Sequence, residues 1–199
     1  MFFDEFVKRS GVVRPSEEDR MKFVSDIIKE NPEYSITLKN DFLNIWARDI
    51  QVPYYFSNSW KKFAAIAGRG IGKTRLGNEW LRYLVFNRFK DHPISIGVIV
   101  PIQGYIDKIS VHGESGIMNV LSDSERAQTK YNINGAFIRF DNGSSINYYS
   151  AENIDRIRGE NFSFMWLDEI AAWIPEKIDD ILVMVRYCLR IRPNHYHLS

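Results

Sequence analysis

Gly68-Arg69-Gly70-Ile71-Gly72-Lys73-Thr74 is the stretch that most strongly indicates which fold this chain adopts. The apolar residues 63–67 before it predict a short buried strand, and the pattern after it predicts a helix over residues 73–89. Closely spaced glycines let the backbone turn its N–H groups towards an anion, and a helix N-terminus adds partial positive charge. The order of strand, glycine loop, Lys-Thr and helix therefore predicts a phosphate-binding loop.

The residue types in this loop suit a bound nucleotide, with ATP and Mg²⁺ as the expected ligands. Lys73 is expected to reach the β- and γ-phosphates, and the Thr74 hydroxyl to ligate Mg²⁺. One position departs from the full pattern, because Ala67 stands where its first glycine belongs. The residues expected to hold the nucleotide share this loop: Gly68, Arg69, Gly70, Ile71, Gly72, Lys73 and Thr74.

Hydrolysis also needs a second ligand for the metal and a residue that activates water. The apolar residues 162–167 predict a buried strand that ends at Asp168 and Glu169, and ligands bind at such carboxyl ends in open α/β sheets. Asp168 is predicted to hold Mg²⁺, directly or through water, and Glu169 to act as general base. An Asp-Glu pair at a strand end is by itself often a solvated turn or helix cap. Its combination with the glycine loop favours the catalytic interpretation.

Alternating strands and helices make up the rest of the chain. Strands are predicted at 94–100 and in a hairpin, 137–140 and 145–149, around Asn142-Gly143, and a helix at 175–191. The fold class predicted is α/β, a P-loop NTPase of the RecA-like or ASCE type with a mostly parallel central sheet flanked by helices.

Two helices are predicted ahead of the glycine loop. Ser16 followed by acidic residues predicts the N-terminus of a helix over 16–30, and the apolar spacing predicts a second over 38–49. The predicted organisation is an N-terminal helical segment, residues 1–50, followed by a P-loop ATPase domain, residues 51–199.

Composition limits the function classes. The 199 residues are 45% hydrophobic, and a net charge of +1 is low for a free-standing nucleic-acid binder. A DNA motor stays open, because a ring of subunits can gather local basic patches. Cys188, the single cysteine, predicts a structural thiol in a reducing compartment, and no apolar run has membrane-spanning length.

Four stretches, in the same order along the chain, resemble the large terminase subunits, the DNA-packaging motors of tailed bacteriophages. They are residues 68–82, 111–116, 150–159 and 167–173. The resemblance covers roughly residues 48–199. It implies an ATP-hydrolysing motor domain that powers translocation of double-stranded DNA into a procapsid.

The same resemblance implies roles for further residues. Arg69 matches an arginine of the family proposed to contact the γ-phosphate, and Arg75 continues the matching stretch as a nucleotide-binding residue. Gln51 lies where the family has an adenine-contacting glutamine.

An arginine before the second acidic motif also has a counterpart in the family. Arg158, or Arg156, matches an arginine proposed to reach the ATP of a neighbouring subunit, where a guanidinium neutralises charge on the transferred phosphoryl group. The alternative is a surface arginine paired with Asp155 or Glu160.

The expected partners follow from the family. They are double-stranded DNA, a portal protein, a small terminase subunit and further copies in a homo-oligomeric ring, without a membrane, in the cytoplasm of an infected bacterial host. The family pattern continues with a coupling motif and a nuclease domain, so the chain is expected to be truncated before them and to lack nuclease activity.

Two other functions stay open on the sequence. A helicase-like or recombinase-like P-loop ATPase shares the same core and would unwind or exchange strands. A nucleotide-binding remnant would bind its ligand, or only a partner protein, without turnover.

Overall fold

The computed structural model describes residues 16–30, 62–68 and 70–191. The chain forms two compact units, residues 1–67 and 68–199. The predicted helix at 38–49 and the residues Gln51 and Arg69 lie outside the described ranges. The domain division at residue 50 stays a prediction.

The N-terminal helix is confirmed in the first unit as α1, Glu17–Glu30. Ser16 caps it, because its Oγ accepts a hydrogen bond of 3.1 Å from the backbone N–H of Asp19. Val24 is buried among the partly buried side chains of its own helix. The polar start and the apolar stripe therefore formed the helix that their spacing predicts.

The strand predicted over residues 63–67 is wrong. Residues 62–68 are irregular, and the side chains of Phe63 and Ile66 are 40% and 96% exposed. A strand needs a neighbour that completes its backbone hydrogen bonds, and the five-stranded sheet is built from other residues. A short apolar run does not by itself specify such a neighbour.

The second unit contains a mixed sheet of five strands in the order β2-β3-β4-β1-β5. β1 runs parallel to β4 and to β5, whereas β3 is antiparallel to β2 and to β4. The expectation of a mostly parallel sheet is therefore corrected to a partly parallel one. The strands are β1 Ser95–Val100, β2 Thr129–Asn132, β3 Phe137–Phe140, β4 Ser145–Ser150 and β5 Phe164–Leu167.

The antiparallel part has a local cause. The predicted hairpin between β3 and β4 is confirmed, with Gly143 at a φ of 85° in its turn. β2 then adds outside β3 as a further antiparallel strand. No prediction covered β2, since its sequence Thr-Lys-Tyr-Asn has no apolar run.

Helices flank the sheet. The predicted helix over 73–89 is confirmed as α2 with a π-helical continuation, and the one over 175–191 as a 3₁₀ turn followed by α5. The helices are α2 Lys73–Tyr83 with its continuation Leu84–Arg88, a π-helical segment Ile106–Val111, α3 Ile117–Val120, α4 Asp123–Ala127, a 3₁₀ segment Ala151–Ile157, and the turn Pro175–Lys177 before α5 Ile178–Cys188.

Each face of the sheet has its own core. On one face Leu81 and Leu84 of α2 pack in a cluster with Ile96, Val98 and Ile146 of the central strands. On the other face the cluster contains Ile99 of β1 and, from α5, Ile181, Val185 and Cys188. The predicted structural role of Cys188 is confirmed, since it is buried and its thiol donates to the carbonyl of Ile157 at 3.3 Å.

Within the described ranges, no helix combines the length and the apolar character that a membrane span requires.

Candidate functional site

The glycine loop has a backbone conformation that other residues adopt only with strain. Gly70 and Gly72 have φ angles of 77° and 80°, in the left-handed region. Gly72 is the residue before α2, and its carbonyl accepts the N–H of Leu76 at 2.9 Å. A Cβ placed on Gly68 or Gly70 would meet no atom within 4 Å. The loop therefore borders open space at the N-terminus of a helix, which suits the approach of an anion.

The Lys73 side chain lies over this loop. Its Nζ donates a hydrogen bond of 2.8 Å to the carbonyl of Gly68. The ammonium group is thereby held against the loop backbone at Gly68, where a phosphate oxygen could replace the carbonyl as acceptor. Thr74 follows in the first turn of α2 and is partly exposed.

A close approach between α2 and β5 brings the second acidic motif to the loop. A Cβ on Gly77 would overlap the indole ring of Trp166. One turn further along, the rings of Trp80 and Phe164 meet edge to face with centroids 6.0 Å apart. α2 thus rests directly on β5, and Asp168 lies two residues beyond Trp166.

Asp168 is a buried carboxyl group, 7% exposed, at the end of β5. Its N–H donates to the carbonyl of Ile99 at 2.8 Å, and its own carbonyl accepts the indole N–H of Trp173 at 3.0 Å. Burial, and next the charge of Glu169, raise the pKa of Asp168 to about 6, while the Lys73 ammonium acts in the opposite direction. That effect of Lys73 means that the loop and the acidic motif share one electrostatic environment.

Glu169 adopts a strained backbone conformation. Its φ and ψ of 47° and 49° are left-handed, which costs a residue with a side chain about 1–2 kcal/mol. The residue is exposed and starts the 3₁₀ turn Ile170–Ala172. Strain of this kind is concentrated at functional sites, so the conformation supports a role for this carboxylate.

An ion-pair network fixes α2 beyond the loop. Arg75 contacts Glu79 at 2.7 Å, and Arg82 contacts Glu125 of α4 at 2.8 Å. Burial raises the pKa of Glu79, against the two arginines Arg75 and Arg82, which lower it. Arg75, which is expected to bind nucleotide, is thus paired on its own helix, and its ligand role stays a prediction.

The arginine predicted as a finger lies on the turn before β5. Arg158 is largely exposed and pairs with Asp155 through an Nε–Oδ1 distance of 3.1 Å. This is the surface pairing that the sequence left open as an alternative, and it involves an exposed pair of modest strength. Arg156 is exposed on the preceding 3₁₀ segment.

The structure shows positioning residues that the sequence reasoning missed. Gly77 permits the contact with Trp166, and its signal was a helix-breaking residue inside a predicted helix. Asn78 is fully buried, and its Nδ2 donates to the carbonyl of Ser115 at 2.8 Å, which ties the loop 111–116 to α2. Trp173 holds the backbone of Asp168. The roles of Asn78 and Trp173 depend on contacts between residues that no local sequence pattern connects, so the sequence carried no signal for them.

Comparison with known proteins gives one match. Residues 65–180, more than half of the chain, match a family model described as the terminase large subunit, T4likevirus-type, N-terminal. The match includes Lys73, Thr74, Asp168 and Glu169. Searches of curated proteins and of solved structures each gave no match. The resemblance seen in the four sequence stretches is thereby confirmed.

Replacing Gly77 with alanine is expected to destabilise the protein. Alanine inside a helix normally stabilises it by about 1 kcal/mol relative to glycine. Here the added Cβ overlaps Trp166, so the free energy of unfolding in urea should instead fall by about 1–3 kcal/mol. The control is Gly104→Ala, because a Cβ there meets no atom within 4 Å. Stabilisation by Gly77→Ala would contradict the close contact.

Replacing Asp168 with asparagine is expected to stabilise the protein in buffer without divalent ions. The folded-state pKa of about 6 lies above the ordinary 3.8, so the ionised carboxylate destabilises the fold above pH 6. This penalty decreases as the pH falls from 6 towards 3.8 and is absent below 3.8. The gain should be about 3 kcal/mol at pH 8 and nearly vanish at pH 4.

Urea unfolding at several pH values measures this difference. The control is Asp91→Asn, which changes an exposed carboxyl group away from the site. An equal effect of Asp168→Asn at pH 4 and pH 8 would mean that the ionised carboxylate is not the source of the penalty.

Proposed function

Because the chain belongs to the T4likevirus-type terminase large-subunit family, with its match in the N-terminal part, we propose that it is the ATP-hydrolysing motor domain of such a subunit. The family gives it a role in DNA packaging. The proposed fold is a P-loop NTPase of the RecA-like or ASCE type. The proposed task is to power translocation of double-stranded DNA into a procapsid.

One observation carries this proposal. Lys73, the first residue of α2, and Asp168, the residue after β5, are far apart in sequence, yet α2 packs directly on β5 where Gly77 meets the indole of Trp166. In agreement with this packing, the Lys73 ammonium acts against the rise in the pKa of Asp168. A chance glycine-rich turn would have no reason to meet a buried carboxylate at a strand end.

The chain offers a donor set that suits a magnesium nucleotide. The backbone N–H groups of the loop and the Lys73 ammonium would hold the phosphates, and the Thr74 hydroxyl and the Asp168 carboxylate would hold Mg²⁺. Oxygen ligands of this kind are the ones that Mg²⁺ takes beside substrate phosphates. When bound, the ion neutralises negative charge on the β- and γ-phosphate oxygens.

Glu169 is proposed as the general base. Its left-handed backbone turns the chain sharply at the end of β5 and leaves the side chain exposed beside Asp168. A carboxylate in this position can accept a proton at Oε from a water molecule that attacks the γ-phosphate. Because Asp168 serves the metal, the two neighbouring acids have separate roles.

The arginines complete the proposal. Arg69 would contact the γ-phosphate within the same subunit, and Arg158 or Arg156 would reach the ATP of a neighbour in a ring. The pairing with Asp155 does not exclude this role, because both side chains are largely exposed and the guanidinium stays accessible to a partner. The proposed partners are DNA, a portal protein and a small terminase subunit, in the cytoplasm of an infected bacterium.

Separate measurements of ATP binding and phosphate release test the function. Lys73→Ala should weaken binding and abolish release, because it removes the cation that holds the phosphates. Glu169→Gln should retain binding and lower turnover by about 10²–10⁴-fold, the range for loss of a general base. The control is Lys108→Ala, an exposed lysine outside the site.

The possible results separate the alternatives. Normal turnover in Lys73→Ala would contradict the proposed site. Binding without release by the parent chain would identify a nucleotide-binding remnant. ATP-dependent unwinding of a forked duplex would favour the helicase-like function instead.

A further inference from the structure

The antiparallel pair β2 and β3 carries two positive charges directly opposite each other. The register pairs Lys130 with Arg139, and both side chains are exposed. Like charges at such positions destabilise a strand pair. An anionic partner bound to this surface would remove that cost, so the pair is a candidate contact site.

The Arg139 side chain is held in a defined position. Its guanidinium carbon lies 4.7 Å from the centre of the Phe137 ring, two residues earlier on the same face of β3. Stacking of this kind uses the flat face of the guanidinium and leaves the N–H groups at its edge for hydrogen bonds. Arg139 is therefore oriented before any partner arrives.

The ion pair that Lys130 makes with a neighbouring acid is a weak one. The carboxylate of Asp141 is 3.9 Å away, and the two side chains are 83% and 55% exposed. At this distance and exposure an ion pair contributes little. The acid therefore does not neutralise the lysine effectively.

We call the two residues Lys130 and Arg139, which the register places opposite each other on one face of the strand pair, the basic face.

Amides accompany these charges. Asn132 lies two residues after Lys130 on β2, and Asn147 of β4 stands opposite Phe137. Ammonium, guanidinium and amide groups are the side chains that contact phosphate oxygens along a nucleic-acid backbone. The strand pair is an open surface and not an enclosed cavity, which suits an extended polymer better than a small anion.

We propose that the basic face contacts the phosphate backbone of double-stranded DNA. The inference rests on the proposed packaging function for the choice of partner. It assigns the contact to phosphates alone, so binding should not depend on DNA sequence.

Protection of the sheet edge is the competing explanation. β2 is the outer strand of the sheet formed by the described residues, and lysine on an edge strand deters pairing with other chains. This accounts for Lys130. It does not account for Arg139, which lies on the inner strand β3.

The test compares two double variants of the full 199-residue chain. Lys130→Gln with Arg139→Gln removes two charges from the basic face. Lys108→Gln with Arg186→Gln removes the same charges from exposed positions elsewhere. Binding to a short duplex of mixed sequence is followed by fluorescence anisotropy over a range of salt concentrations.

The first variant should raise the Kd roughly tenfold. It should also reduce the slope of log Kd against log salt concentration by the amount that corresponds to about two phosphate contacts. The matched variant should leave that salt dependence unchanged. Arg139→Lys, which keeps the positive charge, should retain the salt dependence of the parent chain. ATP turnover without DNA should be the same in all variants, which also shows that they fold.

Several results would overturn the inference. They are an undetectable affinity of the parent chain for the duplex, an equal effect of both double variants, and unaltered binding accompanied by aggregation, which would show edge protection. Equal competition by poly-glutamate would indicate an acidic polypeptide as the partner. ATP turnover distinguishes the two proposals. If the parent chain hydrolyses ATP but the first double variant binds DNA normally, only the surface assignment fails. If the parent chain does not hydrolyse ATP but the first double variant loses DNA binding, only the motor assignment fails.

Discussion

The contact between the backbone of α2 at Gly77 and the indole of Trp166 is the constraint on which the site depends. It fixes the distance between a helix that begins at Lys73 and a strand that ends before Asp168. With a larger residue at 77 the helix would have to move away from the sheet, and Lys73 would move with it. The edge-to-face contact of Trp80 with Phe164 extends the same interface along the helix. The ion pair between Arg82 and Glu125 of α4 then helps to set the orientation of α2 from its polar side.

The site itself reduces the stability of the fold. Asp168 is buried with a pKa of about 6, and Glu169 has a left-handed backbone although it carries a side chain. Neither feature is needed to complete the sheet, because the backbone of Asp168 makes its hydrogen bond to Ile99 whatever its side chain is. Such costs persist where a function requires them, and a Mg²⁺ ion would relieve the first by adding positive charge beside the carboxylate.

The sequence predicted the parts whose signal is local. The glycine loop, α1 with its Ser16 cap, and the hairpin around Gly143 depend on residue types within a few positions, and each was found. The strand over 63–67 was wrong because its burial depends on a neighbouring strand, which no local pattern describes. β2 was missed since its polar sequence forms a strand only beside β3. The proximity of Lys73 and Asp168 was expected from chemistry, but the cause of it, Gly77 against Trp166, is a contact between distant segments. The parallel character was overestimated because the hairpin and β2 together form an antiparallel half of the sheet.

Thr74 and Asp168 are proposed to hold one divalent ion beside the phosphates of a nucleotide on the glycine loop. A crystal structure with a non-hydrolysable ATP analogue and Mn²⁺ in place of Mg²⁺ can locate this metal by anomalous scattering. A single Mn²⁺ peak should contact the Thr74 hydroxyl and, directly or through one water molecule, the Asp168 carboxylate. Nucleotide bound elsewhere, or a Mn²⁺ ion without contact to either residue, would show that these residues do not form the site.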